Sequence, residues 1–248
     1  MKNTHQNKVA IVTGAGTGLG AATAKRLGQE GAKVVVNYFL DTQKHDALEV
    51  VDAIAEAGSQ AIAVQADVSK IEDIERLFDT AIQLFGGIDI LVNNAVMPVL
   101  KPIEEVSEEE FDSSFAVNAK GPFFLMKAAA TRMNENGRII NLSSHTTALF
   151  FPRYGLYDGA KGALEQFSRV FSKEIGHRGI TVNIVSPGPT DTPEFRTRPA
   201  DFIEGLKKMT SMGRIGTIDE IVNTINFLVS NEASWITGQN IRVNGGVV

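Results

Sequence analysis

The sequence predicts an α/β fold in which one doubly wound parallel sheet carries helices on both faces. Three observations predict it. Seven short apolar runs recur near Val9, Val34, Ala61, Ile90, Ile139, Val182 and Ile241; helical stretches separate them; and Gly31, Gly58, Gly137 and Gly179 stand just before strands, where a helix would end and turn into the sheet. Strands that alternate with helices pair in parallel, because each crossover returns the chain to the same edge. The 248 residues show no internal repeat, low-complexity tract or linker. One domain spanning 1–248 is therefore expected, large enough for an ample core.

The first strand, Val9-Ala10-Ile11-Val12, runs directly into Thr13-Gly14-Ala15-Gly16-Thr17-Gly18-Leu19-Gly20, which opens the periodic segment Ala21 to Leu27. A second strand, Lys33 to Asn37, follows one helix later. Glycines let the chain turn tightly and bring backbone close to a pyrophosphate, while the helix N-terminus offers free N–H groups and a positive dipole end. In that setting the glycine turn is read as a dinucleotide site rather than a plain turn.

Farther along, Tyr157 and Lys161 stand four apart and share a face if their segment is helical. A phenol titrates near 10 and carries protons poorly at neutral pH. An ammonium at ~4 Å and an effective dielectric of ~20 favours the phenolate by ~4 kcal/mol, at most roughly three pK units. The pair is thus expected to act as an acid/base unit. His145 beside a serine suggests a hydrolase, but adjacent residues off a strand point apart and no nucleophile elbow is present.

These motifs together resemble the short-chain dehydrogenase/reductase family, from Lys8 to Gly246. Thr13, Gly14, Gly18 and Gly20 match its Thr-Gly-x3-Gly-x-Gly turn, and Asn93-Asn94-Ala95-Val96 matches its Asn-Asn-Ala-Gly element except for the last glycine. The resemblance implies a single-domain Rossmann fold with seven strands, and it places the catalytic asparagine, serine, tyrosine and lysine on Asn118, Ser144, Tyr157 and Lys161. Ser144 is chosen over Ser143 by the family's spacing to the tyrosine. Asn118 falls inside a helix expected over Phe111 to Asn134, where asparagine is a mediocre helix former. Implied contacts to the cofactor are Gly14, Thr17, Gly18, Leu19, Gly20, Tyr38, Phe39, Asp67, Val68, Asn94, Ala95, Pro187, Gly188, Thr190 and Thr192, with Tyr157 and Lys161. An Asp such as Asp67 at a strand end is also a common cap, and Asp89 looks structural. The implied reaction is hydride transfer between a nicotinamide and a ketone or secondary alcohol.

Cofactor choice turns on the end of strand two, Asn37-Tyr38-Phe39. The acid that would hold a ribose 2′-hydroxyl is missing there, Tyr38 standing in its place. Asp41 is about the right distance from the glycines but lies beyond the strand end, and neither position 17 nor 39, the family's usual places for a 2′-phosphate-binding arginine, holds one, so that Lys44 and His45 are the expected substitutes. Without the repelling acid, NADP(H) is preferred, with NAD(H) as the alternative.

The segment Pro187 to Pro199 is the least regular of the chain and leads into an amphipathic piece, Phe202 to Met209; the stretch 187–212 is expected to close over the substrate. Thr147, Phe150, Phe151, Arg153 and Tyr154 are the expected opposite wall. The nearest-looking subgroup is the 3-oxoacyl carrier-protein reductases; Arg178 matches one of their basic docking residues, but Glu135 stands where another would be. A small-molecule carbonyl or alcohol substrate is the other reading, and a cofactor-binding regulatory protein the third. A net charge of -5 argues against a nucleic-acid surface. There are no cysteines, hence no thiolate metal site, and no metal is expected. The stretch Met1 to Asn7 is polar and no apolar run reaches membrane-spanning length, which predicts a cytoplasmic chain with no membrane partner. Apolar outer faces at Phe123, Phe124, Ala163, Phe167, Val170 and Phe171, with the family resemblance, predict a homotetramer.

Overall fold

Each of the seven apolar runs forms a strand in the computed structural model, which describes residues 4–248; Met1 to Asn3 of the polar N-terminal stretch lie outside the described residues. The strands are β1 (Val9–Val12), β2 (Lys33–Tyr38), β3 (Ala61–Gln65), β4 (Ile90–Asn93), β5 (Arg138–Leu142), β6 (Thr181–Pro187) and β7 (Asn240–Val243). All pair in parallel, in the order β3-β2-β1-β4-β5-β6-β7. The order reverses between β1 and β4, and Val12 lies in register with Val36 on one side and Val92 on the other. Ligands of open parallel sheets bind at such a reversal, outside the carboxyl ends of the strands.

Successive strand residues alternate between two cores. Ala10, Val12, Val34 and Val36 pack with α1 (Gly18–Gln29), α2 (Lys44–Glu56) and α8 (Ile218–Leu228); Ile11, Val35 and Leu91 pack with α3 (Ile71–Phe85), α5 (Gly121–Arg132) and α6 (Gly155–Ile175). Both faces are covered, which is why the strands read as continuous apolar runs rather than alternating ones. Each large core side chain, such as Phe78 or Leu125, adds about 1.5–3 kcal/mol by leaving water.

Two details differ from the sequence expectation. The helix expected over Phe111 to Asn134 is two helices, α4 (Glu108–Phe115) and α5, joined by a π-turn over Ala116–Lys120. Pro122 explains the break: it lacks the N–H that would bond the Asn118 carbonyl in a continuous α-helix. Before β5, the left-handed residue is Asn136 (φ 60) rather than Gly137. At Gly137 space is tight, since a Cβ there would lie 3.2 Å from the carbonyl oxygens of both Asn134 and Asp89.

Asp89 is structural, as expected. Its carboxylate accepts from the Val9 N–H at 2.9 Å, from Lys8 Nζ at 3.2 Å and from Asn134 Nδ2 at 3.2 Å, tying the starts of β1 and β4 to the turn after α5.

Candidate active site

The glycine turn builds one half of a cleft from backbone. Gly14 sits at φ 60, where a Cβ would meet Ala95 Cα at 2.9 Å. At Gly20 a Cβ would fall 2.2 Å from the Gly14 carbonyl oxygen and 2.5 Å from Asn94 Nδ2, so only glycine lets α1 approach the sheet this closely. Asn94 fastens the turn: its Nδ2 donates to the carbonyls of Thr13 (3.0 Å) and Gly14 (2.9 Å), while the Thr13 hydroxyl accepts from the N–H groups of Asn94 and Ala95. The N-cap residue Thr17 makes no side-chain bond to α1, and the first turn, beginning Gly18-Leu19-Gly20, holds no acid. Its N–H groups are thereby left for an anion, and the cradle fits a pyrophosphate.

At the end of β2 the structure changes two assignments. Tyr38 is 6% exposed and packs into the core beside Val36 and Val50, so it does not line the cleft. Period-two alternation gives the reason: Asn37 and Phe39 face the other way. Asn37 Oδ1 accepts from the Gly14 N–H at 3.1 Å, and Phe39, 53% exposed, lines the cleft with Leu40, Gln43, Asp67, Val68 and Ala95. Lys44 and His45 do not line it, and His45 Nε2 instead faces Glu49 at 3.3 Å. Asp41 is held by Gln65 at 2.8 Å. Asp67 lines the cleft and also caps its own turn, accepting from the Ser69 N–H and hydroxyl at 2.9 and 2.7 Å.

The other half of the cleft is made of side chains. Leu19, Asn94, Ser144, Tyr157, Lys161, Pro187, Gly188, Thr190 and Thr192 all line it, and the two halves meet at Val96. Tyr157 and Lys161 share a face of α6, as their spacing predicts; Lys161 Nζ lies 5.8 Å from the Tyr157 ring centre and donates to the Leu142 carbonyl at 2.8 Å. Burial in the low-dielectric interior draws the Lys161 ammonium down to about 8. The Tyr157 phenol is pushed well above its ordinary value, first by burial and then by the neighbouring Asp158 carboxylate, with a hydrogen bond from Ser144 opposing. The lowering by Lys161 expected from spacing alone does not prevail. The lysine points its charge at a backbone carbonyl, and its own charged form is disfavoured by the same burial.

Ser144 and Ser143 diverge as strand residues do. Ser143 Oγ donates to Glu165 Oε1 at 2.7 Å, whereas Ser144 Oγ sits beside the phenol and 2.7 Å from Thr146 Oγ1. His145 turns its Nδ1 to the Pro187 carbonyl at 2.9 Å, and burial keeps it toward the neutral form. No Ser–His relay forms.

Asn118 is fully buried and stands apart from the other three. Its Oδ1 accepts from the Met97 N–H (3.2 Å), and its Nδ2 donates to the Met97 carbonyl (2.7 Å) and Ser114 Oγ (3.1 Å). The side chain therefore fixes the strip after β4 rather than lining the cleft with Ser144, Tyr157 and Lys161. The π-turn frees its backbone from the helical pattern, a signal present in the sequence as Gly121-Pro122.

Of the expected wall, Phe151 and Tyr154 line the cleft. Thr147 bonds Glu165 at 2.8 Å, Arg153 reaches the Leu100 carbonyl at 3.3 Å, and Phe150 is 98% exposed; none of the three lines it. The loop from β6 supplies Phe195, Arg198, Phe202 and Leu206, partly through α7 (Ala200–Met209). Val96, Pro98 and Leu100 were not among the expected wall residues, though their place just beyond the carboxyl end of β4 marks them. Among the described residues no cluster of His, Asp or Glu is arranged to hold a metal ion, and no helix is long and apolar enough to cross a membrane.

A glycine-turn cradle at the sheet's reversal, opening onto a Ser-Tyr-Lys cluster, defines a dinucleotide-binding oxidoreductase of the Rossmann class. Residues 14–248 match the family model described as enoyl-(acyl carrier protein) reductase. The chain is 43% identical to short-chain dehydrogenase/reductase GME11373 of Pestalotiopsis microspora (96% of this chain, 94% of that one). It is 38% identical to a hydroxynaphthalene reductase-like protein, Arp2, of Metarhizium majus (97% and 95%). Among solved structures, the angucycline C-6 ketoreductase LanV with bound NADP superposes with a TM-score of 0.93 at 38% identity (100% and 98% covered). An NADP-bound dehydrogenase from Burkholderia cenocepacia superposes with a TM-score of 0.94 at 37% identity (100% and 96%). The chain belongs to the short-chain dehydrogenase/reductase family.

Proposed function

We propose that this oxidoreductase, one domain over residues 1–248, interconverts a ketone and a secondary alcohol with NADP(H), NAD(H) being the alternative cofactor. The observation that carries the reading is that Ser144, Tyr157 and Lys161 line the side-chain half of the cleft, which meets the glycine-turn half at Val96. Gly14, Thr17, Gly18, Leu19 and Gly20 would hold the pyrophosphate, Phe39, Asp67 and Val68 the adenosine end, and Pro187, Gly188, Thr190 and Thr192 the nicotinamide end. When bound, the nicotinamide supplies or accepts the hydride.

The chain's own groups do the rest. Tyr157 gives its proton to the carbonyl oxygen as the carbon is reduced, and a phenol held neutral by burial is already in the acid form this direction needs. Ser144 donates to the developing oxyanion. Lys161, steadied by the Leu142 carbonyl, would hold the ribose and restore the Tyr157 proton. Asn118 anchors Met97, and with it the floor of the cleft.

An aromatic ketone fits the wall of Phe151, Tyr154, Phe195 and Phe202, in keeping with the hydroxynaphthalene in the name of the reductase-like relative; LanV is named as an angucycline ketoreductase. Delivery by an acidic carrier protein is less well supported. Arg178 is engaged by Glu135 at 2.7 Å and by the Ala130 and Met133 carbonyls, so it is not a free docking cation. Phe123 and Val170, 45% and 49% exposed on α5 and α6, support a homotetramer. Turnover of an aromatic-ketone panel with NADPH and NADH tests the reading; no oxidation of either cofactor with any ketone would defeat it, and a monomer by light scattering would remove the tetramer.

A further inference from the structure

Behind Ser144 lies a chain of hydroxyls that ends on a carboxylate. Ser144 Oγ is 2.7 Å from Thr146 Oγ1, and Thr146 Oγ1 is 2.5 Å from Asp158 Oδ1. The Thr146 N–H also donates to Ser144 Oγ at 3.2 Å. Ser144 is 8% exposed and Thr146 4%, so bulk water does not compete for these bonds.

A hydroxyl has one hydrogen. With Asp158 ionised, its oxygen can only accept, so Thr146 spends its hydrogen there. The Ser144–Thr146 contact then needs the Ser144 hydrogen, and Ser144 is left with lone pairs toward Tyr157 and the cleft. With Asp158 protonated, every bond reverses: the acid donates to Thr146, Thr146 to Ser144, and the Ser144 hydrogen points at the phenol and the substrate oxygen. One proton taken from solvent by Asp158 turns two hydroxyls, and the one new hydrogen bond is the one Ser144 can now give on the cleft side.

We propose that Asp158 is a positioning residue which, through Thr146, sets whether Ser144 offers the substrate oxygen a hydrogen-bond donor. This rests on the reading of Ser144 as the oxyanion donor. Burial and the Glu165 charge raise the Asp158 carboxyl above the ordinary range, with Thr146 opposing. The other titratable neighbours are Tyr154, the residue that caps α6, and Tyr157 and Lys161 on α6, and the turn at His145–Ala148 brings His145. Among the described residues Asp158 has no ion-pair partner, and Glu165 is the one charged group named among the causes of its shift, none coming from α4, α5, the π-turn at Ala116–Lys120, β5 or β6.

The consequence is a step in ketone reduction. The turnover number falls as pH rises through the Asp158 value, below the separate limb set by Lys161 at about 8. Re-turning Ser144 against one hydrogen bond slows the step roughly 5- to 10-fold.

The test is kcat and KM for one ketone with saturating NADPH, from about pH 4 to about pH 7.5, in wild type, Thr146→Val, Asp158→Asn and Ser144→Ala. Thr146→Val removes the acceptor that claims the Ser144 hydrogen, and its kcat should stay flat at the wild type's acidic plateau with KM little changed. Asp158→Asn removes the charge and should lose the step as well. A wild-type profile with no step, or a step kept by both variants, overturns the proposal. So does a uniform loss of kcat in both variants at every pH, which a merely structural role would give. Ser144→Ala separates the two levels: a loss of roughly 10-fold or more there, with the step kept in the other variants, defeats only the role of Asp158, whereas wild-type rates in Ser144→Ala defeat the reading of Ser144 itself.

Discussion

The two halves of the cleft are built from different materials. The half beside the glycine turn is shaped first by backbone, the N–H groups of α1 and positive-φ Gly14, with the Asn94 side chain clamping the carbonyls of Thr13 and Gly14 and with Phe39 and Asp67 lining the far end. The half beside α6 is side chain, a buried Lys161, a partly buried Tyr157 and a hydroxyl chain running from Ser144 to Asp158. The first is suited to binding by shape and dipole, and a side chain added at Gly14 or Gly20 is an obstruction. The second, on the proposed reading, works by moving protons, and its Tyr157 and Lys161 are held away from their ordinary titration ranges because the same packing that positions them removes water.

The comparison breaks most sharply at Tyr157. Tyr157→Phe should lose at least ~10²-fold in turnover, the usual share of a positioned acid/base, while cofactor affinity stays within a few-fold. Kinetics paired with cofactor titration check it; an equal loss of binding would mean that the two halves are not separable.

The backbone half can be probed for charge at Phe39, since Tyr38 is buried and a carboxylate placed there would not meet the ribose. In Phe39→Asp the carboxylate should repel a 2′-phosphate by about 1 to 4 kcal/mol, which lowers NADPH affinity roughly 10-fold to several hundred-fold. NADH affinity should hold or improve. Titrations of both cofactors decide it, and unchanged NADPH binding would remove the end of β2 from the ribose site.

For the same half, Gly20→Ala drives a methyl into the Gly14 carbonyl and Asn94. A destabilisation of about 1–3 kcal/mol is expected from such overpacking, read by chemical denaturation, with weaker cofactor binding. A variant as stable as wild type would show that the turn is looser than its contacts imply.

The smallest effect belongs to the buried lysine and is read as stability against pH. The folded value of Lys161, about 8, lies below the ordinary lysine value, so between the two the unfolded chain holds the extra proton. Stability should therefore rise with pH from about 8 to about 9.5, by roughly 1–2 kcal/mol. Tyr157, raised by burial, acts in the opposite sense only above the ordinary phenol value of about 10. Lys161→Met should flatten the rise, and a rise of equal size in that variant would assign it to another group.

The sequence by itself determined the sheet, the glycine turn and the face shared by Tyr157 and Lys161, because each depends on a short-range pattern. Apolar runs make buried strands, Gly14 and Gly20 stand where no Cβ fits, and a spacing of four aligns side chains on a helix. Even the break at Asn118 was written locally, in Pro122. Only the tertiary structure decided the rest. Which of Tyr38 and Phe39 faces the cleft depended on how β2 lies between two cores, and the titration of Tyr157 and Lys161 depended on burial that spacing does not report. The link from Ser144 through Thr146 to Asp158 joins a turn after β5 to the start of α6. Its hydrogen-bond direction follows from packing across that gap, where one buried hydroxyl has a single hydrogen to give.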